Sequence, residues 1–262
     1  MRFRSYVNHA IFCRERRFFY HLGIGLDQAV ASQYHYKFRI VLDVLPYFDW
    51  VLWVDDDVYF TDMKSSNIED LARNADLRKS FLVLAEGPRE EDGTWTTLNS
   101  GVMLIKNDPR SFSFLETAAS LSLVTVERWW NVDEHGLFTH GDQDAITYLT
   151  YLSGDPDSGI EIVNHRQLNS RPHHYADSLE EAFAVHFCGP GDKRLKVAEF
   201  ARRFGVGQEL VPQHLLDKWS VRRREVVGRG ETGFRRWRWE GIQLARRVRR
   251  KVRFIREERR WR

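Results

Sequence analysis

Three consecutive carboxylates, Asp55, Asp56 and Asp57, interrupt the apolar run 51–60. A short apolar run bounded in this way reads as a buried strand, with the acids where it emerges. In open α/β sheets, ligands sit beyond the carboxyl ends of strands. On an extended chain Asp55 and Asp57 point to one side and Asp56 to the other. Two carboxylates on one face repel each other unless something positive lies between them. A hard divalent cation, Mn²⁺ or Mg²⁺, suits oxygen ligands of this kind. A solvated acidic turn is the plainer reading of a bare Asp-x-Asp, so the rest of the chain must decide.

Three further polar clusters border apolar runs: Asn99-Ser100-Gly101 before 102–105, Asp142-Gln143-Asp144, and His186 with Gly189 at the end of 182–187. One such cluster is ordinary, whereas four in succession point to side chains converging on a single cleft. His186 adds the neutral nitrogen that Mn²⁺ accepts beside carboxylates. In Gly189-Pro190-Gly191-Asp192-Lys193 the backbone can approach a phosphate closely, with Lys193 as a point charge.

The elements that would position these groups follow from periodicity. Helical spacing covers 5–15, a strand is expected over 17–22, and a helix over 32–45 is closed by Pro46. The Asp-rich strand follows, then a short helix over 68–75 and buried strands over 81–85 and 102–105. Asn107-Asp108-Pro109 caps a helix over 110–122, and Asp142-Gln143-Asp144 opens another, where carboxylates suit the N-terminal dipole. Further strands are expected over 160–163 and 182–187. Strands alternating with helices predict an α/β domain with a mostly parallel central sheet flanked by helices.

Apolar residues make up 42% of the 262 and aromatics 13%, which excludes a disordered chain. Cys13 and Cys188 are the only cysteines, so neither a disulfide framework nor a Cys-x-x-Cys zinc site is expected, and a reducing compartment is favoured. No run of about 18 apolar residues and no signal sequence is present, which points to a cytoplasmic protein. Charge is distributed unevenly: residues 222–262 carry 17 Lys+Arg against 5 Asp+Glu, and the rest 23 against 32. The expected organisation is one α/β domain over 1–221 and a basic, partly amphipathic helical tail over 222–262. Leu244, Val248 and Val252 recur at four-residue intervals among arginines, a pattern suited to an anionic membrane surface, here the inner face. No nucleic-acid-binding module accompanies the tail, so no specific nucleic-acid partner is expected.

Taken in order, Tyr36-Lys37, Trp53-Val54-Asp55-Asp56-Asp57, Leu98-Asn99-Ser100-Gly101-Val102-Met103, Asp142-Gln143-Asp144-Ala145 and His186-Phe187-Cys188-Gly189 form a set. Over residues 8–218 the chain resembles the GT-A-fold glycosyltransferases of the galactosyl/xylosyl/mannosyltransferase family 34. The resemblance implies metal-dependent transfer, with retention, from a UDP- or GDP-sugar to a glycan or glycolipid acceptor. It implies a metal held by Asp55, Asp57 and His186, and a donor site including Lys37, Asp55, Asp56, Asn99, Ser100, Gly101, Gly189 and Lys193. In this reading Lys37 and Lys193 lie near the diphosphate, and Asp142, Gln143 and Asp144 beside the reacting sugar. The resemblance also leads one to expect a nucleotide-binding strand ahead of residue 8, and the sequence begins almost inside that match. Two other readings remain: a degenerate transferase acting as a binding protein, and a phosphohydrolase of haloacid-dehalogenase type. Against the latter, Tyr59 stands where Thr or Val is usual, and a His-Phe-x-Gly is foreign to that group.

Overall fold

The computed structural model describes residues 5–23, 33–152, 158–189 and 191–224, with 230, 233–234 and 237–242 from the remainder. The described chain divides after His186, residues 5–186 forming one compact unit and those from Phe187 another. This division precedes the composition change at residue 222. Of the expected tail, 237–242 are helical, while the repeat of Leu244, Val248 and Val252 lies outside the described residues. No described helix is long and apolar enough to cross a membrane.

In the first unit the strands are β1 (Trp50–Val54), β2 (Val58–Phe60), β3 (Leu82–Glu86), β4 (Leu98–Lys106), β5 (Ile160–Val163) and β6 (Ala184–His186). Its helices are α1 (Ser5–Arg16), α2 (Tyr36–Val44), α3 (Asn67–Arg78), α4 (Pro109–Ser120), α5 (Leu123–Trp129), α6 (Val132–His135), α7 (Asp142–Leu152) and α8 (His165–Leu168). The main sheet has the order β1-β4-β3-β5. Strand β4 is antiparallel to both β1 and β3, and β3 is parallel to β5. Strands β1, β3 and β5 therefore run the same way, as the α/β reading expects, and β4 alone is reversed. The physical reason is its connection: residues 87–97 contain no helix, and a return without a crossover element can only place the next strand antiparallel.

Strands β3 and β4 are buried almost throughout, which explains their continuous apolar runs. Helices α2, α4 and α7 cover one face of the sheet, where Phe38, Val41, Leu115, Ala118 and Ile146 meet Leu84, Met103 and Ile105. Helix α4 starts where its cap predicts, Arg110 N donating to the Asp108 carboxylate at 2.9 Å with Pro109 in the first turn.

The register between β3 and β4 is interrupted. Leu84 faces Met103, but Ala85 faces Asn99, so residues 100–102 have no partner on β3. The Asp-rich run also differs from one continuous strand. Residues 55–57 make a turn closed by Val58 N to Asp55 O at 3.1 Å, after which β2 leaves the main sheet and pairs antiparallel with β6.

The strand expected over 17–22 does not form. Helix α1 ends with Arg17 in the left-handed region (φ 60°) and Phe18 N bonded back to Cys13 O at 2.8 Å. The residues beyond have no ladder partner, and Phe19 is 85% exposed. An apolar run becomes a strand only where a sheet edge receives it.

The second unit contains α9 (Lys193–Arg203) and α10 (Gln213–Lys218). Asp192 caps α9 by accepting from Arg194 N and Leu195 N, and Phe187 packs edge-on against Phe200 at 5.5 Å between centroids.

Candidate functional site

The reversal of β4 brings two distant motifs together. Because β4 runs against β1, its first residues lie beside the last of β1: Val54 pairs with Val102, and Asp55 N donates to Gly101 O at 2.8 Å. Asn99-Ser100-Gly101, which begins an apolar run, thus reaches the carboxylates that end one. The turn at 55–57 is held from beneath by α1, where Ser5 Oγ donates to Asp56 O at 2.6 Å. It leaves Asp56 exposed and Asp57 buried. Strand β6 then delivers His186 opposite Val58, so ligand atoms of Asp55, Asp57 and His186 all lie within 4.8 Å of one another.

His186 Nε2 lies 3.0 Å from Asp57 Oδ1. Its Nδ1 faces Asn169 Oδ1 at 3.1 Å, with Arg171 Nη1 at 3.4 Å. Residues 169–171 run alongside β6, Ser170 N bonding Ala184 O and His186 N bonding Ser170 O, so Asn169 and Arg171 alternate onto the same side. Asn169 Nδ2 also donates to Asn99 Oδ1, the atom that accepts Gly101 N at 2.9 Å. Gly101 is required for this packing: a Cβ there would lie 2.4 Å from His186 Cε1 and 2.6 Å from its Nδ1.

Lys37 is buried at the other side of Asp55. Its Nζ reaches Asp142 Oδ2 at 2.7 Å, Asp55 Oδ1 at 3.0 Å and Ser100 O at 3.1 Å. Those contacts use all three ammonium hydrogens. Ser100 supplies its carbonyl from the stretch that has no partner on β3, and its hydroxyl donates to Asp142 Oδ2 at 2.6 Å. Lys37 therefore stands as a strut between two carboxylates. Burial disfavours its ammonium, but Asp142 and Asp55 overcome this and hold its pKa above the ordinary lysine value. Burial, reinforced by the carboxylates of Asp142 and Asp57, holds Asp55 above the usual carboxylate range despite Lys37 and His186. Trp53 Nε1 donates to the same Asp55 Oδ1 at 2.7 Å.

The remaining expected site residues divide. Gln143 lies half-buried in the first turn of α7. Asp144, two residues from Asp142, is turned away from the cluster. It accepts from Thr139 N, Thr139 Oγ1 and Gly141 N, and so ties the loop ahead of α7 to the helix. Gly189 and Lys193 belong to the second unit, Gly189 in the left-handed region (φ 78°) and Lys193 as the first residue of α9. The residues that sequence reasoning missed are Asn169, Arg171 and Trp53. Only a polar pair flanking Ser170 marks the first two, and nothing local distinguishes it from a surface loop.

The donor set fits a divalent cation. Two carboxylates, Asp55 and Asp57, and one imidazole, His186, make a nitrogen–oxygen set suited to Mn²⁺.

The fold is GT-A-like. Over 77% of this chain and 89% of the other, it superposes with a TM-score of 0.52 and 13% identity on the crystal structure of a glycosyltransferase involved in the glycosylation of the major capsid of PBCV-1. In sequence the chain is similar to plant glycosyltransferases. It is 33% identical over 115 residues to glycosyltransferase 6 of Arabidopsis thaliana, covering 40% of this chain and 26% of that protein. It is 28% identical over 156 residues to galactomannan galactosyltransferase 1 of Cyamopsis tetragonoloba, covering 56% and 35%. A probable glycosyltransferase 7 of Oryza sativa subsp. indica is 30% identical over 128 residues, covering 45% and 27%. The chain thus spans about a quarter to a third of the length of these curated relatives. No family model matches it. The resemblance drawn from the order of the motifs is met by relatives that carry the glycosyltransferase name.

Proposed function

We propose that the protein is a metal-dependent, retaining glycosyltransferase that moves a sugar from a nucleoside-diphosphate donor to a glycan or glycolipid. The observation that carries this is the convergence of Asp55, Asp57 and His186 beside the Lys37–Asp142 pair, at the carboxyl end of β1. Asp57 and His186 hold the cation, with Asp55 as the third ligand. A divalent cation held by these residues would supply Lewis-acid stabilisation of the charge that builds on the departing diphosphate. Lys37 fixes the spacing of Asp55 and Asp142 so that neither reorients as charge moves. Asp142 and Gln143, on the first turn of α7, lie beside the sugar and support its oxocarbenium-like character. Asn99, Ser100 and Gly101 line the donor-sugar pocket, and Asp56 lies at its rim. The donor is a UDP- or GDP-sugar, the name of the galactomannan enzyme favouring a hexose. The basic C-terminal residues hold the protein at an anionic membrane surface.

The test is hydrolysis or transfer from nucleotide sugars with and without Mn²⁺. Turnover should require Mn²⁺ or Mg²⁺, and Asp57→Ala should lower it at least about 100-fold with little change in stability, since loss of one strand-end carboxylate leaves no large cavity. Full turnover in EDTA, or by Asp57→Ala, would sink the proposal.

A further inference from the structure

The cluster contains a chain of hydrogen bonds whose directions follow from its first donor. It begins at Gly101 N, a backbone donor that has no alternative role. The atom of Asn99 that meets it at 2.9 Å is therefore an acceptor, Oδ1, and the amide orientation of Asn99 is fixed. Asn169 faces that same oxygen, so it must present its Nδ2. Its Oδ1 is then turned to His186 Nδ1 at 3.1 Å. Two lone pairs cannot share that contact, and the imidazole proton must lie on Nδ1. Asn99, Asn169 and His186 are 4%, 0% and 5% exposed, so water does not supply the missing partner in any other arrangement.

From this we infer that Asn99 and Asn169 are positioning residues that preset the tautomer of His186, leaving Nε2 bare toward Asp57 and Asp55 before any cation arrives. The inference rests on the reading of this group as a cation site and deepens it. A bare Nε2 at 3.0 Å from a carboxylate oxygen places lone pair against lone pair, which only a proton or a cation relieves. The relay thus spends three buried side chains on keeping one nitrogen ready as a ligand, the role that a hydrogen bond to the far ring nitrogen plays in metal-binding histidines. Arg171 Nη1 offers the competing arrangement, donating to Nδ1 at 3.4 Å while Nε2–H donates to Asp57. That tautomer would strand Asn169 Oδ1 against a lone pair at the shorter distance, and Arg171 is already paired with Glu90 at 2.6 Å.

The experiment is long-range ¹H–¹⁵N correlation of the imidazoles in the full chain, labelled at histidine, metal-free and in mildly alkaline buffer. The expected result is an Nδ1–H tautomer for His186. Asn169→Leu should abolish that preference. Asn99→Asp should keep it, because a carboxylate oxygen still accepts from both Gly101 N and Asn169 Nδ2. Calorimetry with Mn²⁺ should show affinity reduced about 10- to 100-fold in Asn169→Leu. An Nε2–H tautomer in the metal-free wild type, or an unchanged tautomer in Asn169→Leu, overturns the inference, and the wild-type measurement needs no variant to fold. If the Nδ1–H form is found and responds to Asn169→Leu while the wild type binds no Mn²⁺, the relay stands and the metal reading falls. If Mn²⁺ binds and His186 carries Nε2–H, the metal reading stands and the relay falls.

Discussion

Two buried histidines flank β2, and they are used in opposite ways. His9, on α1, places Nε2 at 2.8 Å from Val58 O, a bond in which the ring must donate because a carbonyl cannot. Beside it Asn8 holds both polar groups of Phe60, donating to its carbonyl at 2.9 Å and accepting its N–H at 2.7 Å. These three bonds from His9 and Asn8 end on main chain, so the helix satisfies the free edge of β2 as a neighbouring strand would. His186 pairs with the same Val58 from the β6 side, but its ring is bonded only to side chains and ends on carboxylates. A network that closes on backbone holds a fold, and one that ends on metal-ligating side chains is open to a ligand. Burial is the same in both, 6% and 5% exposure, and so does not separate them.

The comparison can be broken most severely at Gly101. Gly101→Ala pushes a methyl into His186, a ring anchored at both nitrogens, and a displacement of about 1 Å should lower turnover about 100-fold or more, at least about 2.7 kcal/mol in the barrier. Assay of nucleotide-sugar turnover beside a melting curve checks this, and unchanged turnover would show that the ring is free to move. Next comes Asn8→Ala, which strands the buried N–H and C=O of Phe60 and should lower unfolding free energy by about 2–3 kcal/mol. Mn²⁺ affinity of the folded protein should be unaltered; a parallel fall in affinity would merge the two networks into one.

The smallest effect is a pH dependence. Burial lowers the His9 pKa from 6.5 to about 4, against the opposing bond to Val58. The unfolded chain therefore takes up a proton that the folded one refuses, and this contribution to stability is present in full above 6.5 and lost as pH falls from there through about 4. At pH 5 the loss should be about 2 kcal/mol. His35, His135, His165 and His174 are also lowered, so the difference between wild type and His9→Gln isolates the share of His9. Urea unfolding at pH 5 and 7 should show a shallower acid loss in His9→Gln, and equal losses would exclude the assignment.

Much of the sheet was legible because β1, β3, β4 and β5 are apolar runs with polar residues stranded at their ends. The group Asp55, Asp57 and His186 was legible for the same reason, since nothing in a strand interior calls for those side chains. The reading failed where a residue's meaning depends on what it meets. Residues 17–22 have a strand's composition and no edge to join. Asp142 and Asp144 look alike in sequence, yet one pairs with Lys37 and the other ties down residues 139–141. Nothing in the sequence around Lys37 names its three acceptors, which come from Asp55, Ser100 and Asp142. Asn169 acts on a residue seventeen positions away and a partner seventy away, distances at which no local pattern survives.

The three residues by which β4 outruns β3 set stability and activity against each other. Ser100, Gly101 and Val102 stand outside the β3 ladder, and from there Ser100 gives its carbonyl to Lys37 and Gly101 makes room for His186. A chain that lost those residues would zip β3 and β4 into an uninterrupted ladder and gain backbone bonds by doing so. It would also draw the polar motif out of reach of the carboxylates. Selection for robustness alone would iron the strand flat, so the irregular register persists only while the site is in use.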